Sequence, residues 1–337
     1  MKRTPMFHLA AAALVLGACT GSHDLPASPS GPLAGSTRST SSPHPQISGS
    51  ARIDLSTLAG RITFSNSTDD IWVVNADGTD LRRLTSSPQA QFDPAWSPDG
   101  SKIAFRSGLE NSEVYVMNAD GSRQRRVSPD PANDWGPTWT PDGKVSWNCA
   151  RNLDIGFRAC VRDPDGRGFR VLPIDRFVEY MAWSPDGSKI AFMSAEPDAS
   201  GTDPNYNIYV VNADGSGLRR LTDDPGQEGF PAWSPDGSKI AYSSTRDDCR
   251  NSNAPDCKTS GDIGPVHTLY VMNADGSDQH RLSDRFAQFM DWSPDGCYVV
   301  FSPGLNVIRP DGTGLVTIPT DGVGGDLEFP DWTASAG

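Results

Sequence analysis

The sequence predicts an all-β chain, a six-bladed β-propeller of four-stranded antiparallel blades whose C-terminal strand joins the N-terminal blade to close the ring. Three observations predict it. Trp-Ser-Pro-Asp-Gly occurs at Trp96, Trp183, Trp233 and Trp292, with a Thr variant at Trp139 and a shortened copy, Phe329-Pro330-Asp331-Trp332-Thr333, near the end. These six tryptophans are spaced by 43, 44, 50, 59 and 40 residues, and periods of about 40–45 residues belong to propeller blades. The 33 Gly and 28 Pro among 337 residues suit many turns and interrupt long helices.

Each repeat parses into four strands. The first ends at the Trp. In the Ser/Thr-Pro-Asp-Gly turn that follows, Pro fixes φ and Gly takes the positive φ of a type I turn with a bulge. The second strand comes at once, as in Lys102-Ile103-Ala104-Phe105, Lys189-Ile190-Ala191-Phe192 and Lys239-Ile240-Ala241-Tyr242. The third reads Val114-Tyr115-Val116-Met117, Ile208-Tyr209-Val210-Val211 or Leu269-Tyr270-Val271-Met272. Asn-Ala-Asp-Gly, at Asn75, Asn118, Asn212 and Asn273, turns the chain into a fourth strand with Arg82-Arg83, Arg219-Arg220 or Arg281. Paired arginines there would guard an outer edge. Residues 61–85 supply strands two to four with no Trp strand before them, and residues 328–333 supply a Trp strand alone. Joined, they complete the sixth blade.

Upstream of the repeats the chemistry changes. Lys2 and Arg3 precede an apolar run at residues 6–16, broken by His8. That run is too short to span a bilayer and reads as a signal peptide. Leu16-Gly17-Ala18-Cys19 resembles the bacterial lipobox, which implies removal of residues 1–18 and a lipid on Cys19. Residues 19–52 are Ser-, Pro- and Gly-rich and carry too little apolar surface to fold, so they read as a tether. Residues 53–337 form the propeller domain. The expected location is extracytoplasmic and lipid-anchored, either at the outer membrane and periplasm or on a Gram-positive surface, with the N-terminal lipid as the sole membrane contact. A net charge of −13 argues against nucleic acid as a partner.

Trp-Ser-Pro-Asp-Gly-Ser-Lys-Ile-Ala-Phe and Val-Met-Asn-Ala-Asp-Gly-Ser are similar to the WD-like repeat signatures of TolB-like propellers, and the resemblance covers residues 60–333. It implies the fold strongly and the function weakly, since one fold hosts many functions. TolB carries an α/β domain ahead of its propeller. The anchor and linker here make the resemblance one to a TolB-like propeller lipoprotein and not to TolB itself.

The two faces of the ring differ in information. Turns after strands one and three are short and nearly identical, so their face reads as structural. Loops after strand two vary, spanning residues 66–70, 194–207 and 245–268, and variable loops on a rigid scaffold commonly bind. Connections into the Trp strands share that face and carry Asp93, Asp134, Trp135, Glu179, Tyr180, Glu228, Gln288 and Glu328. They are expected to form an acidic funnel for a basic peptide, a cation or an amine, with Trp135 and Tyr180 as aromatic contacts. The plain alternative is solvated loop carboxylates. The repeat tryptophans and third-strand tyrosines read as blade packing.

With Cys19 lipidated, Cys149–Cys160 on one hairpin and Cys249–Cys257 in the longest loop are expected disulfides, leaving Cys297 as a free thiol. No zinc pattern is present. Asp163-Pro164-Asp165-Gly166 serves a turn, with no Glu at the twelfth position of a calcium loop. No cofactor is expected beyond a possible cation in the funnel. The chain holds no Gly-x-Ser-x-Gly elbow, and His267 and His280 are the histidines of the folded region. A non-enzyme is expected, a monomer that binds an envelope protein or peptide. The alternative is a glycan- or small-ligand-binding protein, including a glycan-cleaving enzyme that uses funnel carboxylates.

Overall fold

A computed structural model describes residues 52–129, 133–152, 156–196, 205–224, 226–247 and 266–334. The expectations for the signal peptide, Cys19, the tether, Cys249 and Cys257 lie outside the described residues. Among those described, no helix is long and apolar enough to cross a membrane.

The ring has six four-stranded antiparallel blades. A 3-10 turn, Leu55–Thr57, is capped by Asp54 and leads into β1 (Arg61–Asn66), β2 (Ile71–Asn75) and β3 (Arg82–Arg83). Blade one holds β4 (Gln91–Trp96), β5 (Lys102–Ser107), β6 (Glu113–Asn118) and β7 (Arg125–Arg126). Blade two holds β8 (Asp134–Trp139), β9 (Val145–Asn152), β10 (Gly156–Arg162) and β11 (Arg170–Val171). Blade three holds β12 (Glu179–Trp183), β13 (Lys189–Glu196), β14 (Asn205–Asn212) and β15 (Arg219–Arg220). Blade four holds β16 (Glu228–Trp233), β17 (Lys239–Ser244), β18 (Thr268–Asn273) and β19 (His280–Phe286). Blade five holds β20 (Met290–Trp292), β21 (Val299–Phe301), β22 (Asn306–Ile308) and β23 (Val316–Thr317). The last strand, β24 (Leu327–Thr333), pairs antiparallel with β1, Trp332 opposite Ile62, and completes blade six as the sequence predicts.

The repeat residues explain why the ring holds. Each Trp packs against the preceding blade: Trp96, Ile103, Phe105 and Met117 of blade one bury against Ile71 and Val73 of blade six. Two of the indole N–H groups stitch such joints, Trp139 to the Ala95 carbonyl at 3.0 Å and Trp292 to that of Ala232 at 3.1 Å. In the Ser-Pro-Asp-Gly turns, Ser97 Oγ donates to Asp99 Oδ1 at 2.6 Å and accepts from Lys102 N at 2.9 Å. Gly215 combines φ +86° with a backbone so near its neighbour that a Cβ would lie 2.2 Å from the Pro173 carbonyl oxygen. Only glycine meets both demands.

The outer arginines do more than guard an edge. Arg83, Arg126 and Arg220 fold back onto the third strand. Arg83 Nη2 lies 2.6 Å from Asp70, Arg126 Nη2 lies 2.8 Å from Glu113, and Arg220 Nη2 donates to Asn207 Oδ1 at 3.0 Å. Cys149 and Cys160 are disulfide-bonded as expected. Cys297 is itself disulfide-bonded, which corrects the free-thiol expectation.

Candidate functional site

The inner strands build the axis, and a bulge in each of five of them decides which side chains face it. Pairing with the second strand slips between Phe92 and Ala95, Trp135 and Thr138, Glu179 and Ala182, and Gly229 and Ala232, with the matching slip opposite β24. The residue three before the Trp takes positive φ: Asp93 (51°), Gly136 (58°), Tyr180 (44°), Phe230 (54°) and Phe329 (51°). Such backbone costs non-glycine residues about 1–3 kcal/mol each, so the surrounding sheet must enforce it. The bulge turns these side chains toward the axis.

Three of them, Tyr180, Phe230 and Phe329, meet there as rings with Phe289, which stands three residues before Trp292 without a bulge. Phe289 and Phe329 have centroids 3.7 Å apart, Tyr180 and Phe230 4.3 Å, and Phe230 and Phe289 4.6 Å. Asp93 sits beside this floor, buried, with Oδ2 3.1 Å from Arg106 Nε and accepting from Gly136 N at 3.3 Å. Burial pushes the Asp93 carboxyl up, opposed by Arg106. Tyr180 is also pushed up, first by burial and then by nearby Asp93.

The eight residues singled out from sequence fall at three levels. Trp135, Glu179, Gln288 and Glu328 are half-buried on the loop side of the aromatic floor. Trp135 packs edge-on against Tyr180 (4.7 Å) and Phe157 (5.2 Å). Burial raises Glu179 to about 7, and burial followed by Asp93 raises Glu328. Asp93 and Tyr180 belong to the floor. Asp134 and Glu228 are sealed between blades. Asp134, raised to about 7 chiefly by burial, lies near Glu113 and Arg126 of blade one. Glu228 Oε1 accepts from Ser244 Oγ at 2.8 Å and lies 3.4 Å from Arg246 Nη2. Burial still raises Glu228 to about 7, outweighing Arg246. The acidic ring thus thins to two rim carboxylates, because the bulge and the pleat send the others elsewhere.

On the far side of the floor, toward the short turns, lies a cavity of about 250 Å³. Its walls include Trp139, Trp183, Trp233, Asp291, Asp331 and Pro185, the last within a Ser-Pro-Asp-Gly turn. Sequence reading missed Asp291 and Asp331. They stand immediately before Trp292 and Trp332, where the other blades have Ala95, Thr138, Ala182 and Ala232. Asp291 Oδ2 accepts from Trp332 N at 2.7 Å, and Asp331 Oδ2 from Trp96 N at 2.6 Å. Burial and mutual repulsion hold Asp291 well above the usual carboxylate range, and burial raises Asp331.

Neither described histidine sits at this axis. His267 Nδ1 is 3.4 Å from Ser243 Oγ and packs on Phe286, and His280 is exposed on the outer strand. Among the described residues, no group of three or more His, Cys, Asp or Glu is placed to hold a metal.

Comparison with known proteins agrees with this architecture. Residues 56–202 match the family model described as the Tricorn protease N-terminal beta propeller domain. A 65-residue stretch is 40% identical to the Tol-Pal system protein TolB of Anaeromyxobacter dehalogenans (strain 2CP-C), spanning 19% of this chain and 14% of that protein. Among solved structures, TolB from Acinetobacter baumannii superposes with a TM-score of 0.63 at 22% identity, covering 83% of this chain and 67% of that one. A structure described as putative TolB from Agrobacterium tumefaciens gives 0.57 at 21% identity, over 81% and 91%. At 21–22% identity these solved structures share the propeller fold with this chain.

Proposed function

We propose that this chain is a protein-binding module of the bacterial cell envelope, held to its membrane by a lipid on Cys19. It engages an envelope protein or basic peptide through the loop-side rim of its channel. The observation that carries the reading is the rim itself, where half-buried Trp135, Glu179, Gln288 and Glu328 surround one mouth above an aromatic floor. Glu179 is held up by desolvation alone, with no cationic partner among the described residues. A basic side chain from a partner would supply the missing counter-charge, and a Trp beside it gives an anchor of the kind that dominates interface energetics. Similarity to TolB proteins supports the envelope setting and favours a non-catalytic role.

In-cell crosslinking of the tagged protein, with mass spectrometry of what co-purifies, tests this. The control variant combines Trp135→Ala, Glu179→Lys and Glu328→Lys. Glu228 is left intact, because a lysine there would break a buried cluster and not probe the face. Capture of an envelope protein by the wild type, lost in the variant, is the expected result. The same catch from both would remove the rim from the reading.

A further inference from the structure

The turn-side cavity lies apart from the rim and has a different chemistry. One end is aromatic, made by Tyr180, Phe230, Phe289 and Phe329, and three carboxylates reach it, Asp93, Asp291 and Asp331, with no Lys, Arg or His in its lining among the described residues. Arg106 answers Asp93 on one oxygen, while Asp93 Oδ1 is buried with no hydrogen-bond partner among the described residues. Asp291 accepts from Trp332 N and Asp331 from Trp96 N, and among the described residues no cation acts on either carboxyl. Two neighbouring acids in an apolar pocket repel one another and are starved of solvation. Aromatic faces and carboxylates together form the usual surroundings of a bound ammonium. A volume of about 250 Å³ is below that of drug-sized pockets and suits one alkyl chain with a charged end.

We propose that this cavity is a binding site for a single alkylammonium group. The alkyl part lies against the rings, and the ammonium lies between Asp291 and Asp331. Entry is from the face of short turns, near Pro185, so this site is separate from the loop-side rim and does not depend on its partner. It also gives the turn face a role beyond the purely structural one that its regular turns suggest.

Isothermal titration of the purified protein with n-butylamine tests the proposal, with 1-butanol as the neutral isostere. The variant is Asp291→Asn with Asp331→Asn. Asn keeps a side-chain oxygen for the Trp332 and Trp96 N–H groups, so the ring joints persist. Expected are binding of n-butylamine, no binding of 1-butanol, and a loss of at least about tenfold in the double variant. A rise in the wild-type melting temperature with n-butylamine concentration is an independent readout that needs no variant. Competition by acetyl-Ala-Lys-Ala-amide would support the site and identify a lysine side chain as its source. Butylamine binding without such competition would support the site and identify a free small amine. Equal binding of 1-butanol, no butylamine signal, indifference to the double variant, or occupancy by calcium chloride that butylamine fails to displace would each overturn it.

Discussion

Glu228 and Asp291 sit on neighbouring blades, both withdrawn from bulk water, yet their surroundings differ in kind. Glu228 is answered by Ser244 and Arg246, and Arg246 is gripped in turn by Asp224 at 2.8 Å and stacked over Tyr270 at 4.6 Å. Arg246 also donates to the Tyr242 hydroxyl and to Gln279, both at 3.1 Å. Asp291 has a backbone N–H and a second acid for company. Both carboxyls are pushed up by burial. Burial of an acid therefore does not mark a site; the inventory of its partners does. Glu228 has a cation beside it, although its Oε2 is buried with no hydrogen-bond partner among the described residues, whereas Asp291 has an acid where Glu228 has Arg246.

The contrast breaks or sharpens first at Arg246. Arg246→Met removes the cation from beside a carboxyl that stays buried, and breaking such a pair typically costs about 3–5 kcal/mol. Urea denaturation should show a loss near the lower end, about 3 kcal/mol, because Glu228 can escape part of the penalty by protonating. The opposite sign is expected at the other acid. Asp291→Asn with Asp331→Asn removes two poorly solvated charges while keeping their acceptors, and should raise stability at pH 8 by about 1 kcal/mol. The sign follows from linkage. Folded-state values above the ordinary carboxyl range mean that the folded chain holds these protons more tightly than the unfolded chain. Their contribution therefore declines as pH rises from about 4 through the raised values, so the variant's advantage should grow over that interval and level off above it. A loss of stability in the Asn variant at pH 8, comparable with that of Arg246→Met, would erase the distinction between the two acids.

Much of this molecule is legible in its sequence, and the part that is not has a definite cause. Trp96 to Trp332 mark the inner strands, Asn75 and its repeats mark the outer turns, and the split of blade six follows from counting strands. The disulfide between Cys149 and Cys160 follows from their places on one hairpin. The axis is harder to read. A regular strand alternates its side chains, but the bulge adds a residue and reassigns the inward position, so that Phe230 and Phe329 line the channel while Glu228 and Leu327 do not. The signal was present in one respect. Asp291 and Asp331 replace a small or neutral residue immediately before the repeat Trp, and a departure at a fixed position within a repeat is a sharper pointer than acidity in a loop. Arg246 left no comparable trace, because its partners Asp224, Glu228, Tyr270 and Gln279 are scattered along the chain and meet only through the fold.

The smallest expected effect comes from acids of the reverse kind, on the turns that edge the cavity. Asp186 Oδ1 accepts from Ser184 Oγ at 2.6 Å, from Ser188 N at 3.0 Å and from Ser188 Oγ at 2.9 Å. These bonds, Ser184 first, hold its carboxyl down to about 2, in a nearly exposed position. Asp99 and Asp236 occupy the equivalent turns of blades one and four and are also lowered. A depressed folded-state value means that stability is fully present above about pH 4 and is lost as pH falls toward about 2. Exposed groups of this kind contribute little individually. Asp186→Asn should therefore leave the urea midpoint at pH 7 nearly unchanged and slightly flatten the acid limb of the profile. The paired Asn variant at 291 and 331 acts on the limb above pH 4 and should leave the acid limb alone. One set of urea midpoints from pH 2 to pH 8 separates the two classes of aspartate. If Asp186→Asn instead altered the limb above pH 4, the turn and cavity acids would be coupled, and the cavity would extend electrically into the turns that surround its mouth.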